Sequence, residues 1–152
     1  MKRTCASLLL ACAFGCAGAG PIDPEQLEAS DPDASSLVRL ALDFYDRISN
    51  RRFNSIATYR DPALREFFQT PEAFADYYAE LAQVLGEAHF QANRPTRIEL
   101  EAIRFDGDAT ARLIVRFRGD NARPLRWWRT AVVREEVWKR EQGRWWIIPG
   151  KL

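Results

Sequence analysis

Residues 125–152 read LRWWRTAVVREEVWKREQGRWWIIPGKL, and this stretch decides the fold that the sequence predicts. It contains all five Trp residues of the chain together with several β-branched residues, and both kinds of side chain favour strands. A Gln-Gly pair at 142–143 supplies a two-residue turn. We therefore predict a hairpin with a long first strand, residues 125–141, and a short closing strand that ends near Pro149.

The two-residue turn fixes the register of this hairpin. It pairs Glu141 with Arg144, so that opposite charges meet at the tip, and it pairs Trp138 with Ile147 in the middle. Because side chains alternate along a strand, the two residues of each Trp-Trp pair must lie on opposite faces. One Trp of each pair is predicted to enter the core, and the other to lie on the second face of the sheet.

Further strands are predicted upstream of the hairpin. Residues 96–105 alternate between apolar and polar side chains, with a change of phase near Ala102 that indicates a bulge. An Asp-Gly pair at 106–107 is typical of a hairpin turn, and residues 109–118 alternate again. A short run at 88–92 is a fifth candidate strand.

The residues before these strands carry the signals of helices. Apolar side chains recur at helical spacing between residues 37 and 50, which predicts a helix with one buried stripe. Oxygen-bearing caps precede proline at 61–62 and again at 70–71, as at the N-termini of helices. Gly86 suits the left-handed position that would end the second of these helices.

Helices followed by an antiparallel meander give an α+β fold. We predict N-terminal helices packed on one face of a curved antiparallel sheet of four to five strands, in a domain of residues 37–152. Residues 17–86 carry 12 acidic and 6 basic side chains, and residues 87–152 carry 9 acidic and 14 basic ones. Attraction between a helical and a strand layer accounts for this asymmetry, and an anion-binding sheet face is the alternative.

The start of the chain resembles the signal segment of a bacterial lipoprotein. Two basic residues precede an apolar run too short to span a membrane, and cysteines follow small residues. We predict that residues 1–16 are a lipoprotein signal peptide and that Cys16 is lipidated. Cys12 is the alternative lipidation site, and ordinary signal cleavage near Ala17 or Ala19 is the alternative process. The resemblance implies export and a lipid anchor in the cell envelope, in the outer membrane and facing the periplasm.

The rest of the composition narrows the classes of function. Residues 17–36 are acidic, rich in proline and without a sustained apolar period, which predicts a flexible linker. No cysteine follows Cys16, so the domain has no thiol for catalysis or metal binding. The net charge of +1 gives no reason to expect a nucleic-acid partner. No phosphate-binding, dinucleotide-binding or zinc motif occurs, so we predict neither cofactor nor metal.

The ending VREEVWKREQGRWWIIP, residues 133–149, is similar to the close of nuclear transport factor 2-like domains. Many of these cone-shaped domains, which include SnoaL-like proteins, end on a Trp, a charged turn with Gly, a basic residue and Trp-x-Ile. Residues 138–148 fit that order, and the amphipathic opening at residues 37–59 also resembles this family. The resemblance implies the cone fold for most of the domain.

Enzymes of that superfamily mostly use a His with an Asp or a Tyr inside the cone, and His89 is the one His of this chain. Placed against Asp43 or Asp46, His89 would be a general base, and we name no other catalytic candidate. The alternative is a partly buried His at a strand edge that the backbone satisfies. The side chains expected to line the cone are Phe44, Tyr45, Tyr77, Tyr78, Phe90 and Trp138.

The remaining candidates are aromatic and Arg side chains of the hairpin, which are the residue types enriched at binding hot spots. The predicted binding residues are Trp127, Trp128, Trp146, Arg126 and Arg129. We expect a non-catalytic cell-envelope lipoprotein whose domain binds an envelope partner protein, or dimerises, through this sheet face. The alternative is a pocket protein for a small apolar ligand, or a SnoaL-like isomerase or hydrolyase that uses His89. Cation–π packing on the sheet surface is the purely structural explanation.

Overall fold

Helices followed by a four-stranded sheet make up residues 32–150, the part of the chain that this computed structural model describes. The helices are α1 (Pro32–Ile48), α2 (Ile56–Tyr59), α3 (Pro62–Arg65) and α4 (Pro71–Glu87), with a 3-10 helix at Gln91–Asn93. The strands are β1 (Arg97–Phe105), β2 (Thr110–Gly119), β3 (Thr130–Glu141) and β4 (Arg144–Ile148). The predicted α+β fold class is confirmed.

The stripe of α1 is buried as its spacing predicts. Leu37, Ala41, Phe44 and Ile48 are each at most 1% exposed and face the sheet side of the helix. α1 includes residues 32–36, which the sequence analysis assigned to the end of the linker. The rest of that linker, the signal segment and Cys16 lie outside the described residues.

Both predicted N-caps are confirmed. The Asp61 carboxylate accepts a hydrogen bond from the backbone N–H of Ala63 at 3.0 Å, and the Thr70 hydroxyl accepts one from Ala73 at 3.1 Å. In each case a proline, whose missing N–H costs nothing at the first helical position, follows the cap.

The predicted end of α4 at Gly86 is wrong, because the helix continues to Glu87. His89 has a φ of 57° and takes the left-handed position instead. The backbone N–H of Phe90 then bonds to the carbonyl of Leu85 at 2.9 Å, which is the closure of a Schellman motif. Burial of the Phe90 ring accompanies this closure, so packing after the helix determines its last residue.

Two glycines are expected to respond in opposite ways to alanine. A Cβ on Gly119 would lie 2.5 Å from the Phe90 ring and 2.9 Å from the Arg94 carbonyl oxygen, whereas one on Gly86 would meet nothing closer than 3.6 Å. Gly119→Ala should lower the free energy of unfolding by about 1–3 kcal/mol through overcrowding. Gly86→Ala, inside a helix, should raise it by up to about 1 kcal/mol. Urea unfolding of both variants checks this, and equal effects would contradict the packing described here.

The sheet is a simple meander with the strand order β1-β2-β3-β4, all antiparallel. The register shifts between Leu100 and Ala102, so the predicted bulge is confirmed. The predicted pairs of the last hairpin are also present, since Trp138 lies opposite Ile147 and Glu141 lies opposite Arg144. The first hairpin turns where predicted, although its loop extends over residues 106–109.

Two predicted strand segments are wrong. Residues 125–129 are not part of β3, because β2 ends at Gly119, opposite Thr130, and leaves earlier residues without a strand to pair with. The chain after Gly119 instead bonds to the end of the helical part, with the Ala122 N–H on the His89 carbonyl at 2.8 Å. Residues 88–92 form a single bridge at Phe90 followed by the 3-10 helix.

One hydrophobic core lies between the helices and the inner face of the sheet. Curvature of the sheet brings the rings of Phe105 on β1 and Trp145 on β4 within 6.2 Å, although these strands are the two edges. Phe44 of α1 packs edge-on against the fully buried Trp138, with ring centroids 6.2 Å apart. The buried hydrophobic side chains of the described residues run from Ala34 to Ile147.

Candidate functional site

A buried carboxylate lies on the inner face of the sheet. Alternation along β3 turns Glu136 inward with Trp138, and the residue is 4% exposed. The hydroxyl of Tyr45 on α1 donates to one carboxylate oxygen at 2.9 Å, and that of Tyr77 on α4 donates to the other at 3.0 Å. This cluster joins both long helices to the middle of β3.

Burial is the main cause that raises the pKa of Glu136 above its ordinary value. The positive charge of Arg134 and the hydrogen bonds from Tyr45 and Tyr77 oppose that rise. Burial and the neighbouring Glu136 also raise the pKa of both Tyr hydroxyls well above the usual 10.0, so they remain donors at neutral pH. The geometry, with two donors on one carboxyl group, explains how the fold tolerates an acid there.

The raised pKa of Glu136 predicts a specific pH dependence of stability. A carboxyl group that holds its proton more tightly in the folded state stabilises the fold fully below its unfolded pKa, near 4.5. That contribution is lost as the pH rises through the folded pKa. Relative to Glu136→Gln, the parent should therefore gain unfolding free energy as the pH falls from 7 towards about 4.5.

Urea unfolding of the parent and of Glu136→Gln at several pH values measures this difference. Glu87→Gln, at an exposed carboxyl group near the end of α4, is the matched control and should keep the trend of the parent, because Glu136 is intact in it. A parent that loses stability relative to Glu136→Gln on acidification would contradict the assignment.

Arg134 lies beside this cluster and lines a cavity. Its side chain is 10% exposed, and its Nη2 donates to the Glu80 carboxylate at 2.8 Å. Its Nη1 is buried and has no hydrogen-bond partner in the described structure. The cavity has a volume of about 140 Å³ and also borders Tyr77, Ile147 and Gly150. It offers room for a few atoms beside one unused guanidinium donor.

The side chains predicted to line a ligand-filled cone form packed core instead. Phe44, Tyr45, Tyr77, Phe90 and Trp138 are all at most 3% exposed. The ring of Phe44 alone has aromatic neighbours on several sides, including Tyr45 and Tyr77 at 5.6 Å. Tyr78 is only partly buried, and its hydroxyl bonds to the backbone of Ser55. The interior of this domain is therefore filled by its own side chains around Phe44, Phe90 and Trp138, while Tyr77 also borders the Arg134 cavity.

His89 lies outside this interior. It follows α4, and its ring Nε2 contacts the guanidinium of Arg123 rather than Asp43 or Asp46. It lines neither the Arg134 cavity nor the groove of about 330 Å³ between α1 and β1. Its backbone carbonyl accepts from Ala122, which gives the residue a structural part in joining α4 to the end of β2.

The outer face of the sheet carries side chains that are all partly or fully exposed among the described residues. Its charges form cross-strand pairs: Arg118 bonds to Glu99 at 2.9 Å, Arg116 bonds to Glu101, and Arg112 bridges Asp106 and Glu135. These pairs span β1, β2 and β3. They hold long side chains in fixed positions, although surface pairs of this kind add little stability.

Apolar side chains run between these ion pairs. We call them the outer stripe, and they share the outward register of β2, β3 and β4: Ile114, Val133, Val137, Trp146 and Ile148. Val133 is 44% exposed and the other four are partly exposed. Arg144 covers the Trp146 ring at 4.3 Å from its centroid. The stripe is therefore an apolar surface on ordered strands that residues 32–150 leave partly exposed.

The structure separates the predicted binding residues into two places. Trp146 lies in the outer stripe, opposite Lys139 near the closing end of β3. Trp127, Trp128, Arg126 and Arg129 lie in the loop before β3, which we call the Trp loop (residues 121–129). Lys139 is nine residues from the start of β3, so the two places are roughly 30 Å apart along the strand. The prediction that residues 126–129 belong to a strand of the sheet is wrong, so Trp146 is the one of these five residues that lies on a sheet face.

Glu136 and Arg134 were not among the site residues predicted from the sequence. The alternation of side chains along a strand could have found them. Trp138 was expected in the core, and Glu136 and Arg134, two and four positions before it, lie on the same face of the strand. Two charged side chains pointing into a core are unusual and mark a polar cluster. Which tyrosines hydrogen-bond to these charged groups depends on how the helices lie across the sheet, and the sequence does not specify that.

No helix among residues 32–150 is long and apolar enough to cross a membrane. Within the same range, no three His, Asp or Glu side chains come together as a metal-binding group. Comparison of the chain with models of known families, with curated proteins and with solved structures finds no match.

Proposed function

We propose that this protein is a non-catalytic, lipid-anchored protein of the cell envelope whose domain binds an acidic partner protein through the outer stripe. The observation that carries this proposal is the outer sheet face, where Val133 is 44% exposed and the other apolar side chains of the stripe are partly exposed among the described residues. Aromatic and Arg side chains such as Trp146 and Arg144 concentrate at binding hot spots. The predicted anchor at Cys16 places the domain at a membrane, where partners are other envelope proteins.

The outer face is large enough for a specific interface. Four strands about 4.8 Å apart and strands of about ten residues give roughly 500–600 Å². Doubling that for two partners reaches about 1,000–1,200 Å² of buried surface, which is the lower range of specific protein interfaces. The face therefore suits one partner of ordinary size without help from the rest of the domain.

The charge of the face favours a different protein over a second copy. The outward positions of β1, β2 and β3 carry six basic residues, which are Arg97, Arg104, Arg112, Arg116, Arg118 and Lys139. They carry four acidic residues, which are Glu99, Glu101, Glu135 and Glu141. Two such faces would bring like excess charge together, whereas an acidic surface is complementary.

The test is to purify the tagged chain from its own envelope in a mild detergent and to weigh it by native mass spectrometry. We expect a stoichiometric complex with a second, different protein. A complex of two copies of this chain would show self-association and would contradict the proposed binding of a different protein. A chain that is monomeric at every detergent concentration in which the fold survives would overturn the proposal.

A second candidate function is the binding of a small ligand in the Arg134 cavity. The buried Nη1 without a partner favours it. Because Glu80 and Glu136 already surround Arg134, a neutral carbonyl compound suits this donor better than an anion. A reproducible small extra mass in the same spectrum, absent from Arg134→Leu, would support this function, and an unliganded domain would exclude it.

A further inference from the structure

We propose that the Trp loop binds the surface of an anionic lipid bilayer, as a membrane contact separate from the N-terminal lipid. The loop joins β2 to β3 and places apolar side chains almost entirely in solvent. Leu125 is 96% exposed, Trp127 is 92% exposed and Trp128 is 49% exposed. These are among the largest exposed apolar groups of the described residues, and they are close neighbours in the sequence.

Hydrogen bonds fix the base of the loop, while its apolar side chains remain exposed to solvent. Its base is tied to the end of α4, since the Ala122 N–H bonds to the His89 carbonyl at 2.8 Å and the Thr130 hydroxyl bonds to the Ala88 carbonyl at 2.7 Å. Leu125 has a φ of 62°, a conformation that bulky residues seldom adopt. Packing within the described residues does not compensate for the positive φ of Leu125 or for the exposure of its side chain. This points to a contact with something outside the domain.

The composition of the loop fits a bilayer interface. Residues 121–129 contain three Arg and no acidic residue. Arg126 stacks over Trp128 at 5.2 Å, and the rings of Trp127 and Trp128 meet edge-to-face at 6.3 Å. Trp rings prefer the boundary between headgroups and acyl chains, and Arg is attracted to anionic headgroups.

A bilayer fits better than a protein partner because the aromatic groups protrude. A protein hot spot needs a facing pocket for each ring and a surrounding ring of contacts that excludes water. Trp127 is 92% exposed, so little of the described domain surrounds its ring. A fluid interface accepts such a ring without a matching pocket.

The tether leaves room for this contact. Fifteen residues, 17–31, lie between Cys16 and the start of α1, and an extended chain covers at most about 3.6 Å per residue. A lipid at Cys16 could therefore lie up to roughly 55 Å from the domain. Binding of the loop would fix which side of the domain faces the membrane, whereas the lipid anchor alone would leave that orientation free.

The experiment uses the chain from residue 17 onward, which keeps every buried core residue described here but carries no lipid. Co-sedimentation with phosphatidylglycerol vesicles is compared with phosphatidylcholine vesicles at low and high salt. We expect binding to the anionic vesicles that weakens with salt. Trp127→Ala/Trp128→Ala should reduce the partition coefficient about tenfold or more. Arg126→Gln/Arg129→Gln should reduce anionic binding about tenfold or more and flatten its salt dependence.

Two control variants separate the loop from general surface effects. Ile56→Ala removes an exposed apolar group elsewhere, and Arg97→Gln/Arg104→Gln removes two exposed charges from the outer sheet face. Both should bind vesicles like the parent, and all variants should share its urea midpoint. Quenching of Trp fluorescence by brominated lipid should occur in the parent and fall sharply in the double Trp variant.

Two results would overturn the proposal. The first is a parent that does not bind phosphatidylglycerol vesicles, or binds them no better than the double Trp variant. The second is loss of a protein complex, rather than of vesicle binding, on changing both Trp residues, which would make the loop a protein contact. Val133→Glu in the outer stripe should leave vesicle binding unchanged, so this test is independent of the proposed function.

Discussion

Val133→Glu is expected to abolish the complex with the partner protein and to leave the domain folded. Val133 is 44% exposed in the outer stripe and lies opposite Arg116 in the sheet register. A glutamate there can share the charge of Arg116, so the fold itself loses little. Burying the new carboxylate under an acidic partner would cost about 3–5 kcal/mol, which weakens binding by roughly 100-fold or more.

The matched control is Ile56→Glu, which places the same acid at a more exposed apolar position at the start of α2. Both variants are purified from the envelope, and the fraction in complex is compared by native mass spectrometry. Retention of the complex by Val133→Glu, or equal loss in both variants, would contradict the role of the outer stripe.

Trp138→Ala is expected to cost about 3–5 kcal/mol of unfolding free energy, the typical price of emptying a large core site. Trp138 is fully buried, lies between Ala111 and Ile147 in the sheet, and touches the Phe44 ring. The total free energy of unfolding of a small domain is only about 5–15 kcal/mol, so this one change should remove a large part of the stability of the fold.

Trp127→Ala removes the same side chain at a position that is 92% exposed and should change stability by less than about 0.5 kcal/mol. Urea unfolding midpoints of both variants provide the comparison. If the two substitutions cost the same, the division of the Trp residues between core and surface described here is wrong.

The hairpin and the helix caps were predictable because local chemistry decides them. The Gln142-Gly143 turn sets the pairing of Trp138 with Ile147, and both residues of that turn adopt the positive φ it requires. The caps at Asp61 and Thr70 need only an oxygen and a following helix.

Features that depend on distant partners were not predictable. Residues 125–129 have strand-like composition, yet they lack a strand beside them because β2 ends at Gly119. The Trp loop was not predicted for the same reason, since the rings of Trp127 and Trp128, assigned to two faces of a strand, contact each other in one loop. The bonds of Tyr45 and Tyr77 to Glu136 join residues 91 and 59 positions apart, and no local pattern encodes such a meeting.

Site-specific photo-crosslinking in the native envelope tests the central claim most directly. A photoreactive amino acid is placed at Val133 in one strain and at Ile56 in another, and the adducts are compared after irradiation. The proposed function predicts one discrete adduct from position 133, whose mass is that of this chain plus a different, acidic protein, and none from position 56. Absence of an adduct at 133, or the same adducts from both positions, would contradict the outer stripe as the working surface of the protein.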